Sequence, residues 1–258
     1  MYFQLKRKLR SGGTTYGTFV FGKDPSTTEI IGAAGFDFVI IDREHSALCW
    51  TEIAEHARAA RAAGIAMLVR ISTPKTEEVT RSLDIGAEGV VIPHFGRDVA
   101  ASFAAASGSR YPPRGSRGTC TGTRGSGFGL QQFASLFKEA DSEALVIAQI
   151  EDEKVLAELD TVMDPTMVDA VMPGLADLSM SMGLPGEFSA EAVQNATKSI
   201  FDVANKRNLL TGAYVANSVE LGKWQRLKCN FLIYAIDYKV LAEGYRAALN
   251  SIKSQVDS

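Results

Sequence analysis

Eight times along this 258-residue chain a short apolar run rich in β-forming residues gives way to a segment with helical spacing. The runs occupy 16–21, 38–41, 66–70, 89–92, 144–150, 169–172, 209–213 and 231–234. Continuous apolar runs of this kind suit parallel strands buried on both faces. The intervening segments carry helix start and stop signals. Asp24-Pro25 offers a cap with proline at the first helical position, Ser26 and Glu29 form an alternative capping box, and Gly35 closes that segment. The spacing predicts a helix from Thr51 to Ala63 ending at Gly64, and another opened by Thr73-Pro74 and ended at Gly86. Val193, Ala196, Ile200 and Val203 mark one stripe, and Asn217 with Glu220 reads as a capping box. Asp237 is placed to cap the last helix, with Leu241, Tyr245 and Ala248 facing inward. Eight β/α pairs in about 250 residues match the rhythm of a (β/α)8 TIM barrel, one domain over residues 1–258. A doubly wound open sheet is the other candidate; its first turn would carry G-x-G-x-x-G, which this chain lacks.

Composition narrows the function classes. Thirty Asp and Glu against 27 Lys and Arg leave a net charge of −3, which argues against a nucleic-acid or anionic-membrane partner. No apolar run reaches the roughly 18 residues of a membrane helix, and no apolar stretch follows the basic Lys6-Arg7-Lys8 as in a secretory signal. Cys49, Cys120 and Cys229 are sparse and unpaired in spacing, which fits a reducing cytoplasm.

In such barrels the chemistry sits where strands end at their carboxyl side. Here those ends read Asp42-Arg43-Glu44-His45, Arg70, Pro93-His94, Gln149-Ile150-Glu151 and Gly174-Leu175-Ala176-Asp177. Gln149 and Glu151 lie two apart on a strand, so they share a face, with Ile150 packing outside. Glu151 and Asp177 offer two hard oxygen ligands suited to Mg²⁺ or Mn²⁺. They equally suit caps of the helices that follow, and both readings stand. Alternation turns Arg70 inward with Ala66 and Leu68, where a guanidinium needs an anion: a substrate carboxylate or enolate, or Asp42 or Glu44. His45, beside carboxylates after a strand, is a candidate base near neutral pH, whose basicity an aspartate such as Asp84 would raise. His94 suits either substrate contact or a solvated loop. His56, within a helix, reads as structural, and Trp50 and Trp224 as packing. The long irregular stretch 110–129 lacks G-x-x-x-x-G-K-[ST] and reads as a lid or subunit contact.

Taken together, Asp42-x-Glu44-His45, Arg70, the Leu-Asp-Ile-Gly-Ala of 83–87, the Arg-Tyr-Pro-Pro-x-Gly-x-Arg-Gly of 110–118, Gln149-Ile150-Glu151 and Gly174-x-x-Asp177-Leu178-Ser179 resemble the HpcH/HpaI aldolases over nearly the whole chain. The resemblance implies a metal-dependent (class II) pyruvate aldolase that cleaves 4-hydroxy-2-oxo acids to pyruvate and an aldehyde. It implies that Glu151 and Asp177 hold a divalent cation (Mg²⁺, Mn²⁺ or Co²⁺), and that Gln149, Gly174 and the backbone near Ala176 bind the pyruvate half. Arg70 would steady the enolate oxygen, and His45 would be the base, tuned by Asp84 and supported by Asp42. It further implies a last helix packed on a neighbouring subunit, in a hexamer built as a trimer of dimers. Arg43, Phe19, the Val-Met-Pro-Gly-Leu of 171–175 and the missing glycine before Asp237 depart from the family pattern. Those departures point to divergence on the aldehyde side. The same scaffold also suits oxaloacetate decarboxylation, acyl-CoA lysis, or 2-oxo-acid binding without turnover.

Overall fold

A computed structural model describes residues 4–130, 132–216 and 221–256. Strands β1 (Thr15–Val20), β2 (Phe38–Asp42), β3 (Ala66–Arg70), β4 (Gly89–Ile92), β5 (Leu145–Ile150), β6 (Ala170–Pro173), β7 (Leu210–Val215) and β8 (Phe231–Ile236) pair in chain order. All neighbours are parallel, and β8 pairs with β1 to close the barrel. The helices are α1 (Leu5–Arg10), α2 (Ser26–Ala33), α3 (Trp50–Ala63), α4 (Thr76–Ile85), α5 (Val99–Ser107) and α6 (Phe133–Glu143). They continue as α7 (Leu159–Val162), α8 (Leu175–Ser181), α9 (Glu191–Lys206), α10 (Leu221–Arg226) and α11 (Asp237–Val256). Among the described residues no helix is long and apolar enough to cross a membrane.

Strand alternation builds two cores. Outward residues such as Val39, Ile41, Val69, Val90 and Ile150 pack under the helices. Inward residues such as Phe38, Ile40, Leu68, Val91, Ile147 and Phe231 fill the barrel. Large and small side chains interlock there. A Cβ on Gly17 would fall 2.2 Å from the Phe38 ring, and one on Gly212 would fall 1.9 Å from the Phe231 ring. The two phenyl rings meet edge-on at 6.2 Å between centroids.

Several sequence expectations change in detail. The helix is capped at Pro25 rather than at Asp24, whose carboxylate accepts the Ser26 N–H at 2.9 Å. The fourth helix starts at Thr76, after Lys75, rather than at Thr73-Pro74. The Asn217–Glu220 box lies outside the described residues. Asp237 reaches beyond its own helix: it accepts the N–H groups of Phe21 at 3.0 Å and Gly22 at 2.9 Å, as well as that of Tyr238 at 2.8 Å. The stripe of Leu241 and Tyr245 does not face inward. These residues are 51% and 76% exposed, Ala248 is exposed too, and α11 touches the barrel mainly through β1 and β8. The segment 110–129 is no lid over the barrel mouth. It runs along α4, where a Cβ on Gly125 would fall 2.1 Å from the Leu83 carbonyl oxygen.

Helix α1 was not legible as an element, yet it plugs the amino-terminal end of the barrel with buried Leu5 and Leu9. Lys6 enters with them and meets Asp169 at 2.6 Å, which also binds Arg110 at 2.6 Å. Buried Glu88 accepts the first N–H groups of α1, from Gln4 at 2.8 Å and Leu5 at 2.9 Å. Burial pushes the Glu88 carboxyl from its ordinary 4.5 up to about 7, against the pull of those donors. The folded protein therefore holds this proton more tightly than the unfolded chain. The contribution of Glu88 to stability is full below pH 4.5 and is lost as the pH rises through about 7. We expect the unfolding free energy of the wild type relative to Glu88→Gln to fall by about 3 kcal/mol across that range. Denaturant titrations at several pH values measure it; a difference that does not vary with pH would show that Glu88 titrates normally.

Candidate active site

The inward positions turn polar at the carboxyl ends of the strands. Phe38 and Ile40 on β2 lead to Asp42, Ala66 and Leu68 on β3 lead to Arg70, and Leu145 and Ile147 on β5 lead to Gln149 and then Glu151. Asp42 is fully buried and stands opposite Arg70 in the β2–β3 register. Arg70 Nε and Nη2 each donate to one Asp42 oxygen at 2.8 Å. The same oxygens accept the N–H groups of Glu44 at 3.0 Å and His45 at 3.2 Å, which sets the turn after β2. Arg70 Nη1 lies 3.3 Å from Glu44 Oε2, and its guanidinium sits 4.6 Å from the Phe19 ring centre. Burial opposes the Arg70 charge, but Asp42 and Glu44 outweigh it and hold the guanidinium ionised.

Glu151 is 2% exposed. Its Oε2 accepts from Gln149 Nε2, and its Oε1 accepts from the His94 N–H at 2.6 Å. The His94 ring bridges two carboxylates, with Nδ1 3.1 Å from Glu151 Oε1 and Nε2 3.3 Å from Glu44 Oε1. The residue stands at φ 48°, in the left-handed region that few residues other than glycine adopt. Burial pushes the Glu151 carboxyl up, with the Gln149 and His94 donors pulling it back. Burial raises Glu44 as well, against Arg70 and His94, and the charges of Asp42 and Asp177 add to the rise. Gly174 closes the floor: a Cβ there would fall 2.1 Å from Glu151 Oε2, so only a bare backbone fits.

A cavity of about 320 Å³ opens above these groups. Arg70, His45, Gln149, Gly174, Ala176 and Asp177 share its lining. Asp177 lies in the first turn of α8 and is exposed to it. His45 is 56% exposed at the rim, with Nε2 3.6 Å from Glu44 Oε2. Asp84 is not brought to this place. It lies in the last turn of α4, where it binds buried Arg117 at 2.8 Å, and among the described residues no contact joins it to His45. Arg117 is 2% exposed and takes the anion it needs. Arg43 also turns away, bound to both Glu78 oxygens at 2.9 and 2.7 Å and stacked 4.0 Å over Trp50. Trp224 packs on Phe201. His56 is buried against Thr28 Oγ1 at 2.8 Å and the Gly22 carbonyl at 3.0 Å, and its burial lowers its pKa.

The residues present fit a divalent cation. Glu44, His94 and Glu151 each offer a ligand atom, all within 4.8 Å of one another, and the charge of Asp177, on the cavity lining, bears on Glu44. Glu44 Oε2 and Gln149 Oε1 are buried without a hydrogen bond. A donor set of carboxylates with one imidazole suits hard or borderline metals. Sequence reasoning did not single out Glu44 as a site residue and left His94 open. Alternation after Asp42 was the available signal for Glu44, since it shares that residue's face just as Gln149 and Glu151 share theirs.

Buried carboxylates and a fixed guanidinium at the carboxyl ends of a closed parallel barrel define an enzyme architecture. Residues 15–239 match the HpcH/HpaI aldolase/citrate lyase family, and the chain belongs to this family of carbon–carbon lyases. It is 27% identical over 250 residues to a 5-keto-4-deoxy-D-glucarate aldolase of Klebsiella pneumoniae subsp. pneumoniae, covering 97% of this chain and 96% of that one. It is 29% identical over 249 residues to a pyruvate aldolase of Rhizobium etli, covering 94% of each. Among solved structures, the citrate synthase SbnG superposes with a TM-score of 0.90 at 30% identity, covering 100% of both chains.

The Asp42–Arg70 pair gives a direct test of how this site is held. Removing one partner of a buried pair strands the other charge, so Asp42→Ala should lower the unfolding free energy by about 3–5 kcal/mol. Chemical denaturation measures it; a loss under about 1 kcal/mol would show that water or Glu44 replaces Asp42.

Proposed function

We propose that this protein is a class II aldolase that cleaves a 4-hydroxy-2-oxo acid into pyruvate and an aldehyde, and runs the reverse addition. The observation that carries this reading is Arg70, fixed by Asp42 at the polar end of the cavity beside the buried Glu151. Glu151 and Asp177 would hold a divalent cation, Mg²⁺, Mn²⁺ or Co²⁺, with Glu44 and His94 alongside. When bound, the cation supplies Lewis-acid polarisation of the 2-oxo acid. The Gln149 side chain and the backbone from Gly174 to Ala176 orient the carboxylate end of the substrate. His45 takes the proton of the C4 hydroxyl, the C3–C4 bond breaks, and its electron pair moves to C3 as the enolate while the aldehyde departs. Arg70 Nη1, not engaged by Asp42, donates to the oxygen on which charge develops, and its geometry is set before the reaction begins. His45 then returns its proton to C3, giving pyruvate and restoring the base.

The likeness to a citrate synthase supports a second reading, in which the same enolate-stabilising groups act on oxaloacetate or an acyl donor. The exposed apolar stripe of α11, with Tyr245, Leu249 and Ile252, supports a homo-oligomer in which this helix packs on another copy. Asp84, bound by Arg117 within the chain, acts on His45 only if a neighbouring copy brings it there.

Deuterium exchange into the methyl group of pyruvate, followed by proton NMR, tests the enolate without a choice of aldehyde. We expect exchange after Mg²⁺ or Mn²⁺ is added to metal-stripped protein. It should fall at least about a hundredfold in Glu151→Ala, as for loss of a principal charge-stabilising group. Failure to exchange while oxaloacetate is consumed would replace this reading with the second one.

A further inference from the structure

Apart from the polar groups, the cavity is walled by Phe21, Phe188, Tyr214 and Ile236, with Phe19 and Met172 buried beside Arg70 and Gln149. Phe19 and Tyr214 lie with ring centres 6.5 Å apart on adjoining sides of the mouth. Phe188 stands 44% exposed in the loop between α8 and α9, at the entrance. The cations among the described lining residues are Arg70 and His45. Both stand beside Glu44, with Arg70 also fixed on Asp42, and the proposed reaction engages both with the breaking bond rather than with the remainder of the substrate. Near the lining residues in sequence, Arg43 is held by Glu78 and Trp50, Lys23 lies 3.3 Å from Glu52, and Lys239 lies 3.7 Å from Glu243. A second carboxylate at the far end of a substrate would therefore lose water against aromatic rings and meet no cation there. An alkyl or aryl group at that end would gain by leaving water. The volume, about 320 Å³, is at the small end of pockets that enclose a whole small molecule, with room for more than a pyruvate unit.

From this wall we infer that the aldehyde half of the substrate is apolar, an alkyl or aryl aldehyde without a second carboxylate. This rests on the aldolase reading above and narrows its substrate class. It sets the chain apart from its relative named for a glucarate, a polyhydroxylated dicarboxylate.

Two aldehydes of nearly equal shape test the inference: 4-methylpentanal and 4-oxobutanoate, which differ by an isopropyl group in place of a carboxylate. Each is supplied with pyruvate and metal-loaded enzyme, and kcat/KM for the addition is measured. Pyruvate deuterium exchange runs in parallel to report on the donor half. We expect at least about a tenfold preference for 4-methylpentanal. Phe188→Arg places a cation at the entrance without disturbing the buried core, and should shift the ratio of the two kcat/KM values toward 4-oxobutanoate by about tenfold. Exchange of pyruvate together with equal or better use of 4-oxobutanoate by the wild type would overturn the apolar acceptor and leave the aldolase reading intact. A ratio unmoved by Phe188→Arg would show that the wall does not meet the far end of the acceptor, and would overturn it as well. Absence of exchange would remove the aldolase reading, and this inference with it.

Discussion

Asp42 organises the mouth of this barrel. A fully buried carboxylate needs compensation on both oxygens, and this one obtains it from two arginine nitrogens and two backbone N–H groups. The arginine pair locks β3 to β2 where the two strands stand in register. The backbone pair folds the chain sharply after β2, so that Glu44 returns to the interior and His45 goes to the rim. One side chain thus fixes the planar guanidinium, the neighbouring carboxylate and the imidazole relative to each other. Side chains placed this way need little reorganisation when charge develops on a substrate.

The electrostatics beside that pair are unbalanced. Asp42, Glu44, Glu151 and Asp177 face Arg70 and two imidazoles, and burial has raised the pKa values of Glu44 and Glu151. The His94 ring touches a carboxylate oxygen with each nitrogen. A neutral imidazole has a single N–H, so both contacts become hydrogen bonds only when the ring or one of the carboxyls carries an additional proton. The pocket is built around more negative charge than its own cations neutralise. That is the condition a divalent cation relieves.

The barrel was legible because its signal is redundant. Eight apolar runs, each with a helix signal after it, leave few topologies open, and small errors at strand ends do not change the count. The inward polar tips of β2, β3 and β5 were legible too, since period-two alternation assigns a face from sequence alone. What escaped depends on contacts between distant segments. Helix α1 has six residues, too few for periodicity to stand out, and its role rests on Glu88 and Asp169 far along the chain. Asp84 reads like a partner for His45 until Arg117 claims it. Asp237 reads like a cap until it is seen holding Phe21 and Gly22. The apolar stripe of α11 was visible, but periodicity shows that a face is apolar and not what covers it.

The barrel also divides its labour by strand. The polar groups come from the ends of β2, β3, β4 and β5, tied to each other by hydrogen bonds and ion pairs, with Asp177 following β6 in α8. The aromatic wall comes from β1, β7, β8 and the loop ahead of α9, and it is held by packing. Substitution in the first half strands buried charges and costs stability at once. Substitution at the exposed members of the second, such as Phe188, changes the shape and polarity of a surface that solvent already reaches, which proteins tolerate far better. Phe19 belongs to the wall yet lies against Arg70, while Arg43, between Asp42 and Glu44, is drawn away by Glu78. A scaffold arranged in this way can hold the groups around a reacting centre constant while the residues that face the rest of a ligand vary.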